Sequence, residues 1–114
     1  MMNIEFGNNI EMVNWQRASE LFSLVGWGVR SPQEIQAAFE KSSFVRFAYS
    51  NNVLVGFGRT VAAGMFYALI VDLVIHPEVQ SKGIGVNMLL YLKDSLEGYS
   101  FTTLTSAVGK KGVL

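Results

Sequence analysis

Leu69-Ile70-Val71-Asp72-Leu73-Val74-Ile75-His76-Pro77-Glu78-Val79-Gln80-Ser81-Lys82-Gly83-Ile84-Gly85 decides how this chain is read. Its first seven residues are apolar and rich in β-branched side chains apart from Asp72, and the run ends at His76-Pro77. Beyond the Gln80 to Gly85 turn, Ile84, Met88, Leu89, Leu92 and Leu96 recur at helical spacing and make an apolar stripe. A strand that enters a helix through a glycine-rich turn gathers backbone amides at the positive end of that helix, which forms an anion cradle of the size a pyrophosphate fills. Gly83 and Gly85 are small enough for an anion to reach the main chain there.

Working outward, Ile4 and Phe6 flank Glu5 and predict a short first strand. A helix follows with Trp15, Ala18, Phe22 and Val25 on one face and Gly26 at its C-terminal cap. Ser31-Pro32-Gln33-Glu34 predicts the start of a second helix, with Ser31 as N-cap, Pro32 at the first helical position and Glu34 closing a capping box. Ile35, Ala38 and Phe39 are its expected buried face. From Phe44 the period changes to two, with Val45, Phe47 and Tyr49 on one side, and a second such run spans Val53 to Val61. Asn51-Asn52 between them tolerates positive φ and predicts a tight hairpin. Gly56 and Gly58 predict a bulge or a close backbone approach, and Ala62-Ala63-Gly64 the next turn. After the helix, which Gly98 ends, Phe101 to Thr105 reads as a last strand, parallel to the one before the helix. The expected architecture is α/β with a mixed sheet in the order β-α-α-β-β-β-α-β, one domain over residues 1–114, without internal repeat or linker.

Composition narrows function. With 114 residues, half of them hydrophobic and only 16% charged, the chain can build one small core. No apolar stretch approaches the roughly 20 residues that span a bilayer, and the N-terminus has neither the basic nor the apolar region of a signal peptide, so no membrane partner and a cytoplasmic location are expected. There is no cysteine and one histidine, His76, which excludes disulfides, thiolate zinc sites and cysteine nucleophiles and leaves no partners for a histidine metal site or serine triad; no metal is expected. Nine basic residues balance nine acidic ones without forming a stripe, which argues against a nucleic-acid partner. The one adjacent basic pair, Lys110-Lys111, reads as a solvated tail.

Spacing then separates three nucleotide-binding turns. A dinucleotide fingerprint wants a third glycine where this chain has Met88, and a P-loop wants Gly-Lys before Ser or Thr, whereas here lysine precedes glycine in Lys82-Gly83. The third pattern is present. Asp72 to Gly85 resembles motif A of the GNAT (GCN5-related N-acetyltransferase) family, whose core is (Gln/Arg)-x-x-Gly-x-(Gly/Ala), with Asp-Leu, the apolar pair, His-Pro-Glu and the Ile after the first glycine typical of small bacterial members. Leu54 to Arg59 is similar to that family's third strand and Gly26-Trp27-Gly28 to its substrate-side loop.

The resemblance implies an acyl-CoA N-acyltransferase fold and an N-acetyltransferase, an acyltransferase of EC 2.3.1 type, that uses acetyl-CoA as co-substrate and acetylates a primary amine of a small-molecule or peptide acceptor. It implies that backbone amides of Gln80, Ser81, Lys82, Gly83, Ile84 and Gly85 hold the pyrophosphate, with the Lys82 charge as an addition. The main chain of Leu73, Val74, Ile75 and His76 would pair with pantetheine as an added strand does, and the Val74 amide is the expected oxyanion donor. Asp72 is a candidate for receiving the amine's proton, against the alternative of a buried aspartate satisfied by neighbouring amides. Trp27, Arg30 and Tyr67, with Phe66, are candidates for the acceptor pocket, against core or rim roles. The family usually continues past the last strand with a helix and two strands, including a tyrosine that protonates the thiolate; Gly109 to Leu114 reaches only the loop before them. An unpaired apolar edge on the last strand predicts a homodimer or higher oligomer. The alternatives to catalysis are a non-catalytic CoA-binding or regulatory module, or a truncated member acting through oligomerisation.

Overall fold

The computed structural model describes residues 3–64, 66–99 and 101–104. The elements are β1 (Ile4–Gly7), α1 (Trp15–Leu24), α2 (Pro32–Glu40), β2 (Phe44–Ser50), β3 (Val53–Ala63), β4 (Tyr67–Ile75), α3 (Ile84–Ser95) and β5 (Phe101–Leu104), with 3-10 turns at Ile10–Met12 and Pro77–Lys82. The five strands lie side by side in chain order, antiparallel from β1 through β4 and parallel between β4 and β5. This is the expected mixed α/β order. Thr105, the Lys110-Lys111 pair and the stretch from Gly109 to Leu114 lie outside the described residues.

Local chemistry sets most boundaries as expected. The Ser31 hydroxyl accepts from the Glu34 amide at 3.1 Å, the Glu34 carboxylate accepts from the Ser31 amide at 3.2 Å, and Pro32 opens α2. Gly26 takes a left-handed φ of +81° just past α1. Asn51 and Asn52 both have positive φ, +51° and +67°, which matches the twist of the β2–β3 hairpin. The β3–β4 hairpin is longer than predicted, because Ala62 and Ala63 pair with Ala68 and Tyr67 instead of turning. Alanine is small enough to sit in a ladder, and the chain reverses only once Gly64 supplies φ +65°.

The sheet is covered on both faces. Phe22 of α1 and Ile35 and Phe39 of α2 pack on Phe47, Phe57 and Val74. Helix α3 packs Ile84, Met88, Leu92 and Leu96 on the other face, against Ala48, Leu73, Ile75, Ala68 and Ile70. The two strand glycines let α3 and β4 come close to β3: a Cβ on Gly58 would lie 3.0 Å from both Leu73 Cδ1 and Leu92 Cδ1, and one on Gly56 would lie 2.9 Å from Ile75 Cδ1. Leu92 is fully buried in this seam, and truncating such a residue to alanine costs about 2–5 kcal/mol.

β4 changes face partway along. Ala68 and Ile70 face α3, and so do Leu73 and Ile75, although a regular strand keeps only alternate residues on one side. The switch is a bulge. Phe57 pairs with Val74 and Arg59 with Val71, so Gly58 of β3 stands opposite both Asp72 and Leu73. Asp72 absorbs the extra residue with φ +54°, a left-handed conformation that aspartate tolerates better than most side chains. Without this step Asp72 would follow Ile70 into the apolar seam under α3. With it, the carboxylate emerges on the α1/α2 face.

Candidate active site

Two parts of the molecule meet at that bulge. The first is a cleft of about 300 Å³ on the α1/α2 face, lined by Phe22, Arg30, Glu34, Ile35, Ala38, Phe39, Arg59 and Asp72. Its floor is aromatic and its rim is charged. Arg59 Nε donates to Asp72 Oδ2 at 2.7 Å, and Arg30 Nη1 donates to Asp72 Oδ1 at 3.5 Å. The Arg30 guanidinium also lies 4.4 Å from the centroid of the Phe22 ring, a cation–π distance. Asp72 is thus satisfied by guanidinium groups from β3 and from the α1–α2 loop, where the sequence suggested neighbouring amides. Glu34, at the cleft's edge, has its carboxyl held below the usual carboxylate range, first by its hydrogen bond with the Ser31 hydroxyl, then by the Ser31 amide and the nearby Arg30 charge, with desolvation opposing.

The second part is the edge and exit of β4. His76 donates its amide to Val55 O at 2.7 Å, which makes Val55/His76 a hydrogen-bonded pair of the antiparallel ladder. Pairs of that kind alternate. Phe57/Val74 is therefore the next one, and Gly56/Ile75 between them is the other kind. The Val74 amide is directed at β3, and the main-chain groups turned away from β3 are those of Ile75 and, at the bulge, Leu73. This corrects the expectation that Val74 supplies the outward amide. The His76 main chain is also committed, since its carbonyl accepts from the Val79 amide at 3.0 Å, so it too falls out of the edge expected to pair with pantetheine. Its ring Nδ1 accepts from the Glu78 amide at 3.1 Å, which caps the 3-10 turn.

The turn itself is fixed from within. Gln80 sends its side-chain amide back to Ile75 O at 3.1 Å, tying the turn to the strand end. The 3-10 turn carries the backbone of Ser81 and Lys82 to Gly83, whose φ of +78° lets the chain enter α3. Gly83 makes no side-chain cap, and α3 has no acidic residue in its first turn. The first amides of α3, at Ile84 and Gly85, therefore meet no carboxylate from their own helix, and a helix N-terminus left in that state suits an anion. A Cβ added at Gly83 would touch nothing within 4 Å, so the glycine answers to φ and leaves open space above the turn. These features fit the diphosphate end of a coenzyme.

The acceptor-side candidates separate. Arg30 lines the cleft beside Asp72. Trp27 packs behind it on Phe22, ring centroids 6.0 Å apart, with its indole N–H buried and unpaired. Tyr67 stands at the opposite end of β4, five residues from Asp72, or about 16 Å of strand, and Phe66 is exposed in the preceding turn. Arg59, Glu34, Phe22 and Phe39 were not singled out by sequence as pocket residues. The usable signal was Arg59 beside Gly58: a cation at the β3 position facing the one carboxylate of β4. Among the described residues no cluster of three or more histidine, cysteine, aspartate or glutamate side chains could hold a metal, and no helix is long and apolar enough to cross a membrane.

Comparison with known proteins agrees with this geometry. The acetyltransferase (GNAT) family profile matches residues 9–111. The chain is 31% identical over 97 residues to an uncharacterised N-acetyltransferase, ycf52, of Pyropia yezoensis, covering 82% of this chain and 56% of that protein. It thus spans just over half the length of the curated relatives it matches. Among solved structures, a GNAT-family acetyltransferase of Streptococcus pneumoniae superposes with TM-score 0.74 at 22% identity, covering 97% of this chain and 80% of that one. An aminoglycoside 6'-N-acetyltransferase complexed with coenzyme A superposes with TM-score 0.74 at 18% identity, covering 88% and 60%. In sequence over nearly its whole length and in fold, the chain belongs to the GNAT family of acetyltransferases.

Proposed function

We propose that this chain is an N-acetyltransferase that moves an acetyl group from acetyl-CoA to a primary amine. The observation that carries the reading is the β4-to-α3 junction, where an uncapped helix N-terminus adjoins a strand whose Leu73 and Ile75 main chain is turned away from β3. The amides from Gln80 to Gly85 would hold the diphosphate and the Leu73–Ile75 edge the pantetheine arm. Acetyl-CoA, when bound, supplies an activated thioester carbonyl. The alternation of the ladder supports the Leu73 amide, in place of that of Val74, as the donor to an oxygen that gains negative charge during transfer.

The amine would enter through the α1/α2 cleft, over the Phe22 and Phe39 rings and past Arg30. Both carboxylates there are already engaged, Asp72 by two guanidinium groups and Glu34 by the capping box. The amine's proton therefore leaves to water at the exposed rim of the cleft. The CoA complex of the aminoglycoside 6'-N-acetyltransferase supports the donor assignment by analogy of fold.

Isothermal titration with CoA and acetyl-CoA tests the donor. Thiol release from acetyl-CoA, measured with ethanolamine, spermidine, glucosamine, kanamycin and a dipeptide with a free N-terminus, tests the transfer. Saturable binding and release with at least one amine are expected. Lack of CoA binding overturns the reading, and binding without release from any amine turns it into the CoA-binding module.

A further inference from the structure

The bulge on β4 asks why, among the described residues, the one with a positive φ inside a strand is a charged, nearly buried aspartate. Asp72 is 13% exposed and its φ is +54°, where an L-residue other than glycine, asparagine or aspartate is strained. Strain of this kind persists only where the surroundings over-determine it. Here they do: Arg59 grips one carboxylate oxygen from the neighbouring strand, and Arg30 reaches the other from the α1–α2 loop while stacking on Phe22.

Two consequences of that grip point in different directions. Along the strand, the bulge resets the alternation, so that Leu73 and Ile75 turn their main chain outward and their side chains under α3. The described pairing with β5 runs from Tyr67 to Ile70, all on the other side of the bulge. Across the face, the same carboxylate accepts from Arg30, the residue of the α1–α2 loop that lines the cleft, while Ser19 Oγ holds the Arg30 carbonyl at 2.6 Å. We infer that Asp72 is a positioning residue that couples the two substrate sites: its left-handed backbone sets the Leu73–Ile75 edge, and its carboxylate sets the Arg30 wall of the acceptor cleft. This rests on the proposed transfer reaction and assigns Asp72 a role other than receiving the amine's proton.

Three substitutions of Asp72 in the 114-residue chain separate the possibilities, with thermal melts confirming that each variant folds. Asp72→Gly and Asp72→Ala lose the same two guanidinium contacts and differ in their tolerance of positive φ. Asp72→Asn keeps that tolerance and a hydrogen-bond acceptor but has no carboxylate. By titration, Asp72→Asn is expected to bind CoA within about threefold of the unsubstituted chain, and Asp72→Ala about tenfold more weakly, the cost of re-forming the left-handed residue. Asp72→Gly should fall near Asp72→Asn. In thiol release with the best amine of the panel, Asp72→Asn should exceed Asp72→Ala several-fold. Arg30→Ala should raise the KM for that amine while leaving CoA affinity unchanged.

Equal CoA affinity for Asp72→Gly and Asp72→Ala overturns the inference alone. So does an Asp72→Asn variant that binds CoA normally yet transfers no better than Asp72→Ala, which would make the carboxylate a proton acceptor. Failure of the unsubstituted chain to bind CoA overturns the reaction and the coupling together.

Discussion

Helix α2 closes its own N-terminus, with Ser31 and Glu34 exchanging hydrogen bonds across the first turn, whereas α3 starts on Gly83 with no side-chain cap and no acidic residue in its first turn. Both helices present the same backbone problem, since the first four amides of any helix lack partners within it. One solves it with its own side chains and gains stability. The other leaves those amides for something else, and the left-handed Gly83 is what brings the chain into that state. The contrast teaches that a missing cap at a strand-to-helix junction is as informative as a present one, provided that nearby backbone is also turned outward.

Breaking the α3 side of the contrast should have the largest effect. Gly83→Ala meets no steric obstacle but must hold φ +78°, at a cost of about 1–2 kcal/mol. A lowered urea midpoint together with weaker CoA binding in titration is the expected outcome; unchanged CoA affinity would separate the turn from the ligand. Val86→Glu sharpens the contrast by giving α3 the acidic residue that Glu34 gives α2. Val86 is half exposed, so the fold should hold or gain slightly from the helix dipole, while CoA affinity drops about tenfold. Stability and binding moving in opposite directions is the signature, read by melting and titration on one sample.

On the α2 side, Ser31→Ala should cost about 1 kcal/mol in urea unfolding and leave CoA affinity untouched. The smallest effect is electrostatic. Folding holds the Glu34 carboxyl below its usual range, so its contribution is present above the unfolded carboxylate pKa and is lost as pH falls through the lowered folded value. Acid unfolding curves should show a shallower loss of stability in Glu34→Gln than in the unsubstituted chain.

The capping box, the Asn51-Asn52 hairpin and the close approach at Gly56 and Gly58 were legible in the sequence because each is a local rule tied to particular residue types. Motif A was legible for the same reason. The bulge was not. Leu69 to Ile75 is almost uniformly apolar, and such a run gives no alternation from which a change of face can be seen. That change of face moved the outward amide from Val74 to Leu73 and Ile75, and carried Asp72 onto the α1/α2 face. The α1/α2 cleft was only partly legible, since it is assembled from α1, the α1–α2 loop, α2, β3 and β4, and nothing local says that Arg30 and Arg59 converge on one carboxylate.

The order of the strands also has a kinetic side. β2, β3 and β4 are consecutive neighbours joined by short reversals, so their pairing closes small loops, whereas β5 reaches β4 only after α3 has crossed the sheet. Local contacts of the first kind form early at little entropic cost, and the parallel pair comes late. The meander that strains Asp72 into place is thus expected to be complete before β5 joins the sheet. Hydrogen exchange should then find β3 slow and the β4–β5 seam fast, so that the last strand to join the sheet is the first to leave it.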